Sequence, residues 1–141
     1  MKSELTKHFT FAEMTRTNTG IENVPNKAQV KNLKRLCRWL ERLREKVGKP
    51  IVINSGYRSE AVNKAVGGVK GSNHLTGCAA DIHVAGIEQL VRYAAILLDI
   101  SDESQEDFDE LLLKRSPRSS YWLHFAVRPS GNRRKVKLIQ T

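Results

Sequence analysis

Residues 111–141 contain no aspartate or glutamate, against eight lysines and arginines. That absence rules out an acidic tail and makes the distribution of charge more telling than the formal net charge of +9. Residues 1–50 carry 12 basic against 5 acidic side chains, while residues 51–110 reverse the balance with 4 against 10. No apolar run approaches the roughly 20 residues that a membrane-spanning helix needs, so no membrane span is expected. The stretch Met1–Thr10 has neither an apolar core nor a small-residue cleavage site, so no secretory signal is visible. Two cysteines, Cys37 and Cys78, are too few for a disulfide framework, and their surroundings read as those of small buried apolar residues. Internal repeats and low-complexity tracts are lacking too. The basic flanks suit a polyanion, whether nucleic acid, teichoic acid or an acidic membrane surface, or equally serve as solvated faces. Aromatic residues are not interleaved with the basic ones, which argues against recognition of nucleic acid by stacking.

With 40% hydrophobic and 28% charged residues, what is present is ordinary for a soluble globular protein, and 141 residues suffice for one domain spanning 1–141. From Lys27 to Val47 apolar residues recur at three- and four-residue spacing, predicting an amphipathic helix that Gly48 stops and Pro50 cannot continue. Pro50–Asn54 then reads as a short buried strand. Ser55–Arg58 reads as a turn, Ser59 as the cap of a short helix ended by Gly67 and Gly68, and Val69–Gly77 as a loop. Alternation over Ala79–Val84 predicts a strand with Asp81 and His83 on one face. Ile87–Ile100 is a second amphipathic helix, followed by an acidic linker, Asp102–Asp107. Two strands, Phe108–Leu113 and Tyr121–Val127, and a third at Val136–Ile139 complete the chain. Helices first and antiparallel strands later predict an α+β fold, a small antiparallel sheet with helices packed on it.

Chemistry concentrates in His74, Asp81 and His124. Two neutral imidazoles and a carboxylate suffice for three ligands of a catalytic zinc ion, Zn2+, with a fourth position left for water or substrate. Such an ion brings the pKa of bound water down to about 7 and polarises a carbonyl. Gly77 lets the backbone turn tightly between the first two ligands. His83 is either a partner of that cluster, a substitute ligand, or a partly buried histidine with no metal role.

The segment Ser72-Asn73-His74, Gly77, Ala79 and Asp81, followed downstream by Trp122-Leu123-His124, resembles the zinc D-alanyl-D-alanine carboxypeptidase-like peptidases of bacteria and phages, which share the Hedgehog/DD-peptidase fold. His8–Glu13, the Asn54–Arg58 turn and Asn132-Arg133-Arg134 extend the likeness over nearly the whole chain. The resemblance implies a hydrolase acting on peptidoglycan stem peptides, with His74, Asp81 and His124 as the zinc ligands. It implies Arg58 as a clamp for the substrate carboxylate or carbonyl, suited to bidentate contact and oxyanion stabilisation. Ser72 and Trp122 are further candidates for substrate binding. It also implies a monomer made in the cytoplasm and acting on the cell wall, in the periplasm or during phage lysis, by a delivery route other than a visible signal.

One departure stands out. After the Phe-Asp-x-Leu strand, many relatives have a glutamate as general base; here that position is Lys114, and the alternative position, three residues before the last histidine, is Tyr121. A lysine takes a proton from metal-bound water only if its pKa is strongly depressed. Glu110 shares a strand face with Lys114 but lies four residues, roughly 13 Å, away, so it replaces the base only if the strand shifts or bends. Two readings follow: an active peptidase with Arg58 and Glu110 as catalytic residues, or a zinc-containing peptidoglycan-binding module with hydrolysis impaired by Lys114.

Overall fold

The computed structural model describes residues 4–141. The first three residues of the stretch read above as lacking a secretory signal lie outside them. The chain opens with a two-stranded antiparallel ribbon, β1 (Glu4–Thr6) and β2 (Phe9–Thr10), and a short helix, α1 (Phe11–Thr15). Helix α2 (Lys27–Val47) has the ends that its sequence predicts. Asn26 and Gln29 cap its first turn reciprocally, and Gly48, at φ 79°, closes it in the left-handed conformation that a glycine adopts without steric cost. Its inward face is Leu33, Leu36, Cys37, Trp39, Leu40 and Leu43, all buried.

Strand β3 (Ile53–Ser55) lies a little later than the sequence predicts, although Ile51 is buried like Ile53. Helix α3 (Glu60–Ala65) starts at the Ser59 cap. The segment expected to be a loop contains a 3-10 turn, Asn73–Thr76. Two side chains from α2 hold it: Gln29 donates to the Leu75 carbonyl and Asn32 to the Thr76 carbonyl. These contacts span more than forty residues, so local sequence gives no sign of them. Strand β4 (Ala79–His83) follows, then α4 (Ile87–Ser104), which runs one turn into the segment expected to be a linker.

The last three strands are β5 (Glu110–Arg115), β6 (Tyr121–Ala126) and β7 (Lys135–Gln140). They join β3 and β4 in one sheet of order β3-β4-β6-β5-β7. The expected antiparallel pattern holds except at one edge, where β7 runs parallel to β5. Both sides of β6 are already occupied, so the chain leaving it must cross to the free side of β5. Backbone bonds from Arg134 to the Phe108 carbonyl and from Lys135 to the Asp109 carbonyl start β7 beside the beginning of β5 and set its direction.

Period-two alternation gives the sheet two unlike faces. Ile53, Ala80, Ile82, Leu111, Leu123 and Phe125 enter the core with α2 and α4, where Trp39 packs against Phe108 and Phe125 at centroid distances of 6.4 and 5.4 Å. Asp81, Glu110, Lys114, Trp122 and His124 alternate with these residues and face the other way. Both cysteines are buried free thiols. The architecture is the α+β class expected, and no helix among the described residues is long and apolar enough to cross a membrane.

Candidate metal centre and its cleft

Each of the three candidate ligands comes from a different local structure. His74 lies in the 3-10 turn, whose first backbone N–H groups are satisfied in part by Ser72: its hydroxyl accepts from the His74 amide at 3.1 Å. Gly77 ends the turn at φ 77°, and a Cβ there would sit 2.5 Å from the Gln29 carbonyl oxygen on α2. The position therefore demands glycine twice, for its backbone angle and for the closeness of the helix. Asp81 and His124 are direct cross-strand partners on β4 and β6, which places both side chains on the face opposite the core.

Donor atoms of His74, Asp81 and His124 all lie within 4.8 Å of one another. His74 Nε2 is 3.4 Å from Asp81 Oδ1, and His124 Nδ1 is 3.2 Å from the same oxygen. Two donors bound at 2.0–2.1 Å to one tetrahedral centre lie roughly 3.3 Å apart, so the spacing fits a metal ion of zinc's size and preference. The outer nitrogens are engaged as well. His74 Nδ1 donates to the Gly56 carbonyl at 2.7 Å, and His124 Nε2 donates to Glu110 Oε1 at 2.9 Å. Such outer bonds fix each ring's tautomer and aim the remaining lone pair inward.

The charges of these side chains balance one another. Burial opposes ionisation of Asp81, but hydrogen bonds from His124 and His74 hold its carboxyl far below the usual carboxylate range. Glu110 is lowered to about 2, first by its bond with His124 and then, against burial, by Asn73. Burial disfavours a charged His124, yet the flanking carboxylates of Asp81 and Glu110 raise its pKa. A metal at Nδ1 must displace the proton that these carboxylates favour there.

Glu110 reaches the site by a different route from the one expected. No shift or bend of β5 occurs: the register with β6 is continuous, with Glu110 opposite Ala126 and Leu112 opposite His124. Glu110 meets His124 diagonally across the strand pair, and its Oε1 also accepts from Asn73 Nδ2 at 2.7 Å. It therefore stands behind a candidate ligand instead of occupying the base position. Lys114 is two residues beyond Leu112, paired with Trp122, its Nζ 5.8 Å from that ring's centroid. His83 is exposed beside Trp122 and does not join the three-donor cluster.

Arg58 is close to the donors but already engaged. Its Nη2 donates to Asp81 Oδ2 at 3.1 Å, Nε to the Ser55 hydroxyl and Nη1 to Asn63 Oδ1. Its backbone N–H bonds the His74 carbonyl, tying the Arg58 turn to the 3-10 turn.

A further layer was not anticipated from sequence. Asp109, fully buried, accepts from Arg133 Nε and Nη2 at 3.0 and 2.8 Å, from the Arg133 backbone and from Asn73. Arg128 Nε lies 3.2 Å from Asp109 and donates to Asn73 Oδ1 at 2.9 Å. Burial works against the Asp109 charge, but Arg133, Asn73 and Arg128 lower its pKa to about 2. The chain of contacts runs from Arg133 through Asp109, Asn73 and Glu110 to His124. The aspartate of the Phe-Asp-x-Leu strand and the Asn-Arg-Arg ending were the available signals, though nothing local linked them.

These groups open onto a cleft of about 600 Å3, bounded by the Val66–Gly71 loop, Ser72, Trp122, Lys114 and Lys135. Residues 7–107 match the model of the family described as peptidase M15. The chain belongs to the peptidase M15 family. The matched stretch includes His74 and Asp81 and stops before β5, so Glu110, Lys114 and His124 of this M15 member lie beyond it. The chain is also similar to a protein of Streptomyces albus G named zinc D-Ala-D-Ala carboxypeptidase, with 37% identity over 78 residues. That alignment covers 53% of this chain and 31% of the relative, less than a third of its length.

Proposed function

We propose that this M15 member is a zinc-dependent peptidase that hydrolyses peptidoglycan stem peptides ending in D-alanyl-D-alanine. The reading is carried by the geometry of His74 Nε2, Asp81 Oδ1 and His124 Nδ1, whose spacing suits one tetrahedral ion while the outer nitrogens of both imidazoles are already bonded. The name of the Streptomyces relative supports both the metal and the substrate. A zinc ion held by these three residues supplies activated water and a Lewis acid for the scissile carbonyl.

The chain's own groups then divide the remaining work. Arg58, fixed by Ser55, Asn63 and Asp81, has the fork geometry to orient a substrate carboxylate or carbonyl at the edge of the donor set. Glu110 holds the His124 ring and increases its basicity as a ligand. Among the described residues, Asp81 and Glu110 are the acidic side chains lining the cleft, and both are hydrogen-bonded within the cluster. Proton transfer from the attacking water to the leaving amine therefore lacks an unengaged carboxylate among the described residues lining the cleft, since the second oxygen of Glu110, Oε2, lies 3.8 Å from Arg133 Nη2, and the step is expected to be slow.

That last point favours a second reading, a zinc-containing module that binds the peptide with little hydrolysis, because a cation occupies the base position. Metal analysis combined with chromatography of peptidoglycan fragments separates the two. Stoichiometric zinc with release of D-alanine supports the peptidase; stoichiometric zinc without product at high protein concentration leaves the binding module. Under the second reading, K114E is expected to raise turnover by at least tenfold.

A further inference from the structure

The cationic side chains that line the cleft are not equivalent. Arg58 is paired with Asp81, and Arg128 and Arg133 with Asp109. Lys114 and Lys135 also line the cleft, and among the described residues neither has a carboxylate within 4.0 Å. A charge near low-dielectric walls with no internal partner attracts an anionic ligand more strongly than the same charge on an open surface.

Lys114 is also held in place. It is half-buried, on the same sheet face as Asp81 and His124, with its ammonium over the Trp122 ring. Cation–π contact and the rigid strand pair reduce the freedom that a surface lysine loses when it binds an anion. The order β3-β4-β6-β5-β7 sets Arg58, beside β3 and β4, and Lys114, on β5, on opposite sides of Asp81 and His124. Two strand spacings between β4 and β5, with the two-residue offset of Lys114 along β5 from the row of Asp81, His124 and Leu112, amount to roughly 12 Å. An extended peptide advances about 3.4 Å per residue, so two residues and a side chain cover that distance.

We propose that Lys114, supported by Trp122, is a specificity-determining residue that binds a side-chain carboxylate of the substrate, giving preference for a residue that carries one immediately before the D-alanyl pair. The proposal rests on the peptidase reading for the direction in which the peptide lies, with its terminal carboxylate toward Arg58. Lys114 then has a positive use in the cleft: the position that holds a base in relatives becomes a recognition position here.

The test compares acetyl-Glu-D-Ala-D-Ala with acetyl-Gln-D-Ala-D-Ala, which are nearly isosteric, by calorimetric binding to the zinc-loaded protein and by D-alanine release. A charge-assisted bond in a partly buried site corresponds to about five- to tenfold tighter binding of the glutamyl peptide. K114M is expected to bind the two equally, K114R to retain the preference and K114E to reverse it. The preference should shrink as salt rises. Equal binding by the unmodified protein, or a preference that survives in K114M, overturns the proposal. If the glutamyl peptide is preferred but neither peptide is cleaved, the peptidase reading fails and the subsite stands. If both are cleaved with equal efficiency, the subsite fails and the peptidase stands; if neither binds, both fail.

Discussion

The two sides of the open sheet face are built on opposite principles. Around β4 and β6, every candidate ligand has an inner atom for the metal and an outer atom bonded to something else: Gly56 for His74, Glu110 for His124, Arg58 for Asp81. Toward the end of β5 and on β7, Lys114 and Lys135 face the cleft without an acidic partner among the described residues. The saturated side holds one geometry and tolerates little change. The other side leaves its charges for something that arrives. The contrast places fixed chemistry and variable recognition on adjacent strands of one sheet.

The largest break comes from the saturated side itself. H124A removes one of three donors and leaves the Asp81 and Glu110 carboxylates facing each other without their shared imidazole. Stoichiometric zinc binding should be lost and hydrolysis should fall by at least about a thousandfold, measured by metal analysis after dialysis and by product release. Retention of full zinc occupancy in H124A would remove His124 from the ligand set.

Glu110 allows a finer cut. E110A takes away the carboxylate behind His124 while leaving all three donors, so zinc affinity should fall by about 10- to 100-fold in competition with a chromophoric chelator, and E110Q, which keeps an acceptor, should fall less. The unsubstituted site must also release a proton as it takes up metal, because its carboxylates raise the His124 pKa. Zinc affinity should therefore decline as pH falls, beginning above the ordinary histidine value of about 6.5 and more gently in E110Q. An affinity independent of Glu110 would reduce that residue to a bystander.

The smallest effect lies one layer deeper. Asp109 has its pKa lowered to about 2 in the fold, against about 3.9 in an unfolded chain. Its charged form is the one that the fold favours, so its contribution is present above pH 4 and disappears as pH drops from about 4 through 2. The difference corresponds to about 2–3 kcal/mol near neutrality. Denaturant unfolding should find D109N less stable than the unmodified protein by about that amount at pH 6, with the gap closing toward pH 2. A gap independent of pH would assign the loss to packing instead of charge.

Legibility in sequence followed the range of the interactions. Helix α2 was readable because its signals, the apolar period from Lys27 to Val47 and the stop at Gly48 and Pro50, are local. His74, Asp81 and His124 were readable because histidine and aspartate at that spacing carry a specific donor chemistry. The 3-10 turn was missed because its stabilising donors, Gln29 and Asn32, come from α2. The parallel placement of β7 was missed because the bonds that direct it start from Arg134 and Lys135 and end on residues more than twenty positions earlier. Glu110 was judged by distance along its own strand, when its partner was diagonal on the next one.

By itself, the sequence determined which chemical groups this M15 member has available: two histidines and an aspartate with the donor chemistry for a metal, a lysine where the family resemblance implies a base, and the amphipathic periods that bury one face of each element. Tertiary structure decided which atom of each group is free to act. The outer bond of His124 to Glu110 leaves Nδ1 inward, the bond of His74 to Gly56 leaves Nε2 inward, and the engagement of Glu110 there keeps it from being a freely placed base. A side chain's composition is local, whereas the direction of its lone pairs depends on neighbours that only strand register and long-range packing bring within 3 Å.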